Sequence, residues 1–359
     1  MKVALHVGQL LQPVPGGIGR YARSLLRGLP RYGVDVTPFA AGDAASALPP
    51  NYVNLGRPYG SMRYEMWHRW QRPILHVDGD VVHAPSLAIP PVSGRPLVVT
   101  AHDVAFHRFP DATTRRGRAF HERGLDLARH NASVVLAPSD FTRRELMSLD
   151  FRPEQVEVAY LGADPAPPVD DTDVDARLTA IRVLRPYILT VGTVEPRKRV
   201  RHLVTALGHL REHYPELELV VVGPRGWGDV GRLEAPGVRL LGALPWVLVD
   251  ALYRRARVCA IASVYEGFGL PAVEAMNRSC PVVVAGGSAL AEVVGDAGIV
   301  APPDNPEALA SAIGGLLADD ARRAEYARRG LDRAALFTWD LCAARHADVY
   351  RRARETAPS

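Results

Sequence analysis

Ser263–Ala275 reads SVYEGFGLPAVEA. Two carboxylates, Glu266 and Glu274, flank a Gly-Phe-Gly-Leu-Pro turn that opens into a predicted helix. A Gly-Phe-Gly turn leaves backbone N–H groups uncrowded, and Pro271 suits the first helical turn, where its missing N–H costs nothing. The start of such a helix attracts anions through its free amides and dipole. Carboxylates only accept hydrogen bonds, so a pair of them beside an anion cradle suits the hydroxyls of a sugar or ribose. Taken singly, a helical Glu is a solvated residue and Gly-Pro is a turn. Their concentration between Glu266 and Glu274 outlines a nucleotide-sugar site.

Upstream, Tyr187–Val191 is a predicted strand that ends in GTVEPRKR, with a helix from about Val200. Arg197 and Lys198 are adjacent cations in that strand-to-helix loop. A solvated basic surface is the bland alternative, but the carboxyl end of a strand is where open α/β sheets bind ligands. A planar Arg fork and a point-charge Lys both suit phosphate oxygens. Leu217–Val222 runs into GPRGWGD, whose glycines, Gly223 first, allow close backbone approach. Val238–Leu241, Val258–Ile261 and Pro281–Val284 are further strands, and Val247–Arg257 reads as a helix.

The first half of the chain has the same texture. Val3–Val7 is an apolar run followed by the Gly-rich PGGIG, Pro15–Gly19, and an amphipathic segment, Ile18–Leu29. Strand, Gly-rich loop and helix begin a doubly wound unit, although the glycine spacing is not the dinucleotide fingerprint. Strands follow at Val34–Phe39, Val81–His83, Leu97–Thr100, Ser133–Leu136 and Val156–Tyr160. His102 and Asp103 come directly after Leu97–Thr100, at a position where a ligand binds such sheets; a structural or solvated His is the alternative. Ser139 is placed to cap the helix that follows it. Met62–Arg72, MRYEMWHRWQR, admits two readings. One is a surface helix with Met66, Trp67 and Trp70 inward; the other is an interfacial helix with Arg63, Arg69 and Arg72 on anionic lipid.

The whole chain of 359 residues exceeds one compact core and suggests two domains. A net charge of +4 does not demand a nucleic-acid partner. The three cysteines, Cys259, Cys280 and Cys342, form no paired motif, which predicts a reducing compartment and no zinc cluster. No apolar run of about 18 residues offers a membrane span. Asp164–Arg185, rich in Pro, Asp and Ala, reads as a linker.

The Glu266–Glu274 segment resembles the Glu, seven residues, Glu signature of the retaining family 4 glycosyltransferases, and the likeness extends over nearly the whole chain. PGGIG with Arg20 and Tyr21 is similar to that family's GGIGRY loop, AHD at 101–103 to its first-domain loop, SDFT at 139–142 to its Ser-Glu-Phe-Thr, and GTVEPRK to its GTxEPRK loop. The chain departs from the family at Thr193, where many relatives carry Arg after the glycine, at Leu161 for Asn, and in LPWVLVD near the base-reading region. It also has MNRSCPV where relatives place a glycine before the Pro-Val.

The resemblance implies the GT-B fold, an α/β architecture of two facing Rossmann-like domains with an interdomain cleft. The domains would be residues 1–164 on the acceptor side, a linker at 165–185, a donor domain at 186–338, and a last helix at 339–359 crossing back to the first domain. It implies a catalytic set of His102, Glu266, Lys198 and Arg197. His102 points at the reacting sugar or its phosphate, Glu266 contacts the transferred sugar, and Lys198 grips the diphosphate, with Arg197 beside it. Donor contacts would come from Gly16, Gly17, Gly192, Thr193, Gly223, Gly267, Phe268, Gly269 and Leu270, with Glu274 on the ribose.

The function implied is retaining transfer of a hexose, mannose as first choice and GDP-mannose as donor, to a glycan, lipid-linked or small-molecule acceptor. No metal or other cofactor is expected. The Asp-x-Asp matches, Asp78 with Asp80 and the Asp171–Asp175 run, lie away from the motif loops. The expected place is the cytoplasm, with peripheral contact at the inner face of the membrane. A non-catalytic nucleotide-sugar-binding protein and another GT-B enzyme, such as a sugar-nucleotide epimerase, are the alternatives.

Overall fold

The computed structural model describes residues 1–12, 15–42, 48–56, 61–74, 76–92, 94–110 and 113–356. The chain separates into two compact units, Met1–Gly162 with Trp339–Ser359, and Ala163–Thr338.

The first unit is built on seven parallel strands: β1 (Lys2–His6), β2 (Asp35–Ala40), β3 (Val53–Asn54), β4 (Val81–Ala84), β5 (Leu97–Thr100), β6 (Val134–Ala137) and β7 (Val156–Val158). Their spatial order is β3-β2-β1-β4-β5-β6-β7. Every residue of β4, β5 and β6 is buried, as expected for a parallel sheet covered on both faces. The second unit repeats the plan with β8 (Tyr187–Val191), β9 (Glu218–Val222), β10 (Val238–Gly242), β11 (Val258–Ile261), β12 (Val282–Ala285) and β13 (Ile299–Ala301). Its order is β10-β9-β8-β11-β12-β13. In both sheets the order reverses beside the unit's first strand, which creates the crevice where doubly wound folds hold ligands. The expected α/β, Rossmann-like reading therefore holds for each half. The second core joins Ile188, Leu203, Leu207, Leu219, Val258 and Ile313, all nearly inaccessible to water.

Four local expectations change. The Pro15–Gly19 stretch is not a loop, because the helix already starts at Gly16 with Pro15 as its N-cap. The proposed linker carries a helix, Asp171–Ala180, which belongs to the second unit. Its helicity comes from an N-cap, Asp170 accepting from the Thr172 amide at 2.8 Å, and from Val174 and Leu178 being buried. In the helix Ser61–Trp70, Trp67 is 1 % exposed as expected, but Trp70 is 61 % exposed, together with Met62 at 63 %. Ser61, Arg63, Tyr64 and Glu65 lie outside the described side chains, so the reading of Arg63 falls there too. Short β3 and β13 escaped the sequence reading, as two- and three-residue strands carry no usable alternation.

The C-terminal helix, Trp339–Glu355, packs on the first unit's helix Gly16–Gly28. A chain of buried hydrogen bonds fastens it, and the acceptor-only carbonyl of Cys342 sets every direction. His346 donates from Nδ1 to Cys342 O (2.7 Å), so its Nε2 accepts from the Tyr21 hydroxyl (2.5 Å). The Tyr21 oxygen accepts from Thr100 Oγ1 (2.8 Å), which accepts from His83 Nε2 (2.9 Å). His83 Nδ1 then accepts from the Tyr350 hydroxyl at 2.7 Å, back on the C-terminal helix. Both imidazoles are neutral in this arrangement, and burial lowers both their pKa values, that of His346 to about 4. Among the described residues no helix is long and apolar enough to cross a membrane.

Candidate active site

The order reversal in the second sheet places the loops after β8 and β11 side by side. From the β8 loop, Pro196–Lys198 forms a 3-10 turn ended by Arg199 in the left-handed region (φ 48°). That turn aims Arg197 and Lys198 across the crevice, and the Val264 amide donates to Arg197 O at 3.0 Å, fixing the two loops together. Lys198 Nζ donates to Glu266 Oε1 at 2.5 Å. Arg197 donates from Nη1 to Glu266 Oε2 (3.1 Å) and to Tyr265 O (2.6 Å), and from Nη2 to Glu195 Oε1 (2.6 Å). Glu266 is only 8 % exposed. Burial pushes its carboxyl pKa upward, but the Lys198 and Arg197 charges outweigh that and hold it at about 2. The carboxylate is therefore ionised and a weak base.

Backbone approach makes this geometry possible. Gly192 N donates to Val222 O and Val194 N to Pro224 O, both at 2.9 Å, sewing the β8 and β9 loops together. A Cβ on Gly223 would lie 2.0 Å from Gly192 O, so no other residue fits there. The Thr193 methyl rests against Gly226 in the same seam. Lys198 Nζ lies beside Gly192.

Gly269 is the N-cap of the helix Leu270–Met276, at φ 106°, and a Cβ there would meet Leu290 at 2.5 Å. Leu290 belongs to the helix Ala289–Val294, whose first amide donates to Glu266 O at 3.2 Å. Phe268 is buried against Phe337, with centroids 5.5 Å apart. Glu274 follows one turn along, 4 % exposed, and accepts from the Tyr253 hydroxyl at 3.1 Å. Arg278, whose side chain is fully buried, donates to Glu274 O (3.1 Å) and to Asp250 (2.7 Å), and lies 5.0 Å over the Trp246 ring. It anchors the end of this helix.

The second unit thus brings together Arg197, Lys198, Gly192, Thr193, Gly223 and the whole run from Glu266 to Leu270. Next to them, at the carboxyl ends of β8 to β10, is a cavity of about 270 Å³ lined by Val194, Gly223, Arg225, Val230, Leu233 and Gly242. A larger groove, about 650 Å³, lies at the opposite, amino-terminal edge of the sheet, away from these loops. Asp78 pairs with Lys2, and Asp171 and Asp175 with Arg255, so these acidic residues are committed elsewhere.

The first unit holds the remaining expected residues. Gly16 and Gly17 begin the helix Gly16–Gly28 and are exposed, with open space around Gly16. His102 follows β5, edge-on to Tyr21 with centroids 5.0 Å apart. Its Nε2 lies 2.9 Å from Pro85 O, and a carbonyl only accepts, so Nε2 carries the hydrogen. Burial lowers its pKa, which leaves a neutral ring whose Nδ1 can accept from a hydroxyl. Glu195 is the group that the sequence reading passed over. It lies inside GTVEPRK, and only its contact with Arg197 shows that it belongs to the cluster.

Profiles of two protein families match the chain: "Glycosyltransferase Family 4" over residues 15–167 and "Glycosyl transferases group 1" over residues 185–319. O-antigen chain mannosyltransferase B of Escherichia coli is 33 % identical over 287 residues, covering 76 % of this chain and 74 % of that protein. Phosphatidyl-myo-inositol mannosyltransferase of Mycolicibacterium smegmatis is 29 % identical, over 94 % and 90 % of the two chains. Among solved structures, Anabaena Alr3699/HepE in complex with UDP and glucose superposes with a TM-score of 0.76 at 20 % identity, over 98 % of this chain and 100 % of that one. At that identity the likeness establishes the fold.

Proposed function

The chain belongs to the family 4 glycosyltransferases, and from that premise we propose that it transfers mannose from a nucleoside-diphosphate donor with retention of anomeric configuration and without a metal. The ion-paired cluster of Lys198, Arg197 and Glu266 is the observation that carries the proposal. Two cations beside one carboxylate, at the crevice of a doubly wound sheet, suit a diphosphate next to a polyhydroxylated sugar.

In this reading the diphosphate lies on Lys198 and Arg197, and Glu266 accepts hydrogen bonds from the sugar. Glu274 holds the ribose, and the nucleoside extends toward the cavity bounded by Gly223 and Gly242. As the bond from C1 to the diphosphate breaks, negative charge gathers on the leaving oxygens, where the two cations stabilise it. The acceptor oxygen bonds to C1 on the same face, and its proton passes to the departing phosphate. A Glu266 carboxyl held at about 2 is a poor candidate to take that proton, which supports giving the phosphate this role. The neutral His102, whose Nε2 hydrogen is committed to Pro85 O, can accept from a hydroxyl through Nδ1 and has no free hydrogen to donate to phosphate.

Mannose rests on the two mannosyltransferase relatives, whose names also point to glycan and lipid-linked acceptors. Peripheral membrane contact is assigned to the exposed Met62, Arg69, Trp70 and Arg72, which combine apolar surface with positive charge.

The test is a transfer assay with GDP-mannose, UDP-glucose and related donors, the product anomer being read by NMR. Transfer from GDP-mannose with retention, unaffected by a chelator, is expected. An inverted product, or loss of activity that added metal restores, overturns the mechanism. Turnover of UDP-glucose alone overturns the choice of sugar.

A further inference from the structure

The cations assigned above to the diphosphate already hold an anion. Lys198 and Glu266 lie 68 positions apart in sequence and make the shortest contact in the cluster, with both side chains largely shielded from water. Arg197 is tied by three groups, Tyr265 O, Glu195 and Glu266. For Lys198, Glu266 is the one carboxylate within ion-pair distance among the described residues, which makes it the exchangeable member.

We propose that Glu266 is a built-in counter-ion: in the ligand-free enzyme its carboxylate stands in for the donor's diphosphate on Lys198, and its return after transfer loosens the nucleoside diphosphate product. The argument rests on the proposed function. A buried ammonium without a counter-charge is costly, so an empty site needs an internal anion. When a diphosphate arrives, two anions face one ammonium and repel each other. The intact donor relieves this, because its sugar offers hydroxyls from which Glu266 can accept once it leaves Lys198. The product carries no sugar hydroxyls for Glu266, which keeps its contact with Arg197 and competes for Lys198. The same carboxylate thus favours the donor and disfavours the product, which is the discrimination that turnover needs.

The experiment is titration calorimetry of the full chain with GDP, UDP and their sugar conjugates, using wild type, Glu266→Gln, Glu266→Asp and Lys198→Ala. Glu266→Gln should tighten nucleoside diphosphate binding about tenfold to a hundredfold, the range of one charge-assisted hydrogen bond, and leave the sugar conjugate no tighter. Glu266→Asp, with the charge withdrawn by one methylene, should tighten it less; it carries the test if the Gln variant does not fold. Unchanged or weaker diphosphate binding in the Glu266 variants, with clear weakening in Lys198→Ala, overturns the counter-ion role and leaves the cation assignment standing. Equal binding by wild type and Lys198→Ala, or no binding by any variant, overturns the cation assignment and this inference with it.

Discussion

Acid should unfold this protein through its buried histidines before it reaches its carboxylates. His6 and His346 are fully buried, and burial lowers each from an ordinary value of 6.5 to about 4. An unfolded chain takes up protons on these residues near pH 6.5, whereas the native chain resists until about pH 4. Stability is therefore complete above pH 6.5 and falls as the pH drops from 6.5 toward 4. At about 1.4 kcal/mol per unit, each residue costs about 2 kcal/mol by pH 5 and about 3 kcal/mol by pH 4. His83 and His102 shift in the same direction and add to the loss. Against a typical total stability of about 5–15 kcal/mol, the pair alone removes a large share by pH 5. Glu266 has the same sign, because its pKa is also lowered in the native state, but its contribution is present above 4.5 and is lost between 4.5 and 2, outside this window. Urea unfolding followed by circular dichroism at pH 7, 6 and 5 measures the slope. In His346→Phe the slope should fall by about 1.4 kcal/mol per pH unit, although that variant starts less stable because Tyr21 loses its acceptor. Equal stability at pH 7 and pH 5, or an unchanged slope in His346→Phe, would refute the assignment of neutral, buried histidines.

Four further outcomes follow from single residues. Replacing Arg278 by Met strands the buried Asp250, which keeps only Arg254, and should cost about 3–5 kcal/mol in chemical unfolding. Ser279, exposed and in the left-handed region at φ 55°, occupies a backbone conformation that glycine adopts without strain; Ser279→Gly should raise stability by about 0.5–1 kcal/mol, seen as a higher melting temperature. Glu274→Ala should weaken nucleotide-sugar binding by calorimetry, and binding equal to wild type would remove Glu274 from the donor site. Lys198→Ala should lower kcat about a hundredfold to a thousandfold, the size seen when one transition-state donor is removed.

The residues that the sequence marks most plainly, Glu266, Glu274, Arg197 and Lys198, announce themselves by local chemistry. Charges stand next to glycines at predicted strand ends, and a parallel sheet presents strand ends together. Apolar runs such as Leu97–Thr100 and Tyr187–Val191 are readable because both faces of a parallel strand are buried, so alternation is not needed. The Ser139 cap was equally legible, and its side chain accepts from Thr142 N at 3.0 Å.

Local pattern fails where a side chain's partner is distant in the chain. Trp70 and Trp67 are three positions apart on one short helix, and only packing against the sheet decides that Trp67 is buried and Trp70 is not. The helix Asp171–Ala180 hides in linker-like composition because its weak stripe becomes apolar surface only when the helix Trp246–Arg255 covers it. His346 and Tyr21 are 325 positions apart, and no periodicity connects them.

By itself, then, the sequence determined the two doubly wound halves and marked the charged and glycine-rich loop residues that the second unit gathers, because strand burial and loop chemistry are encoded within a few neighbouring positions. Tertiary structure alone decided the charge partners: that Glu266 rests on Lys198, that Glu195 completes the cluster through Arg197, and that the C-terminal helix is held by neutral histidines. Those pairings depend on which strand ends become neighbours, and that follows from the folded order of the sheet and not from the order of the chain.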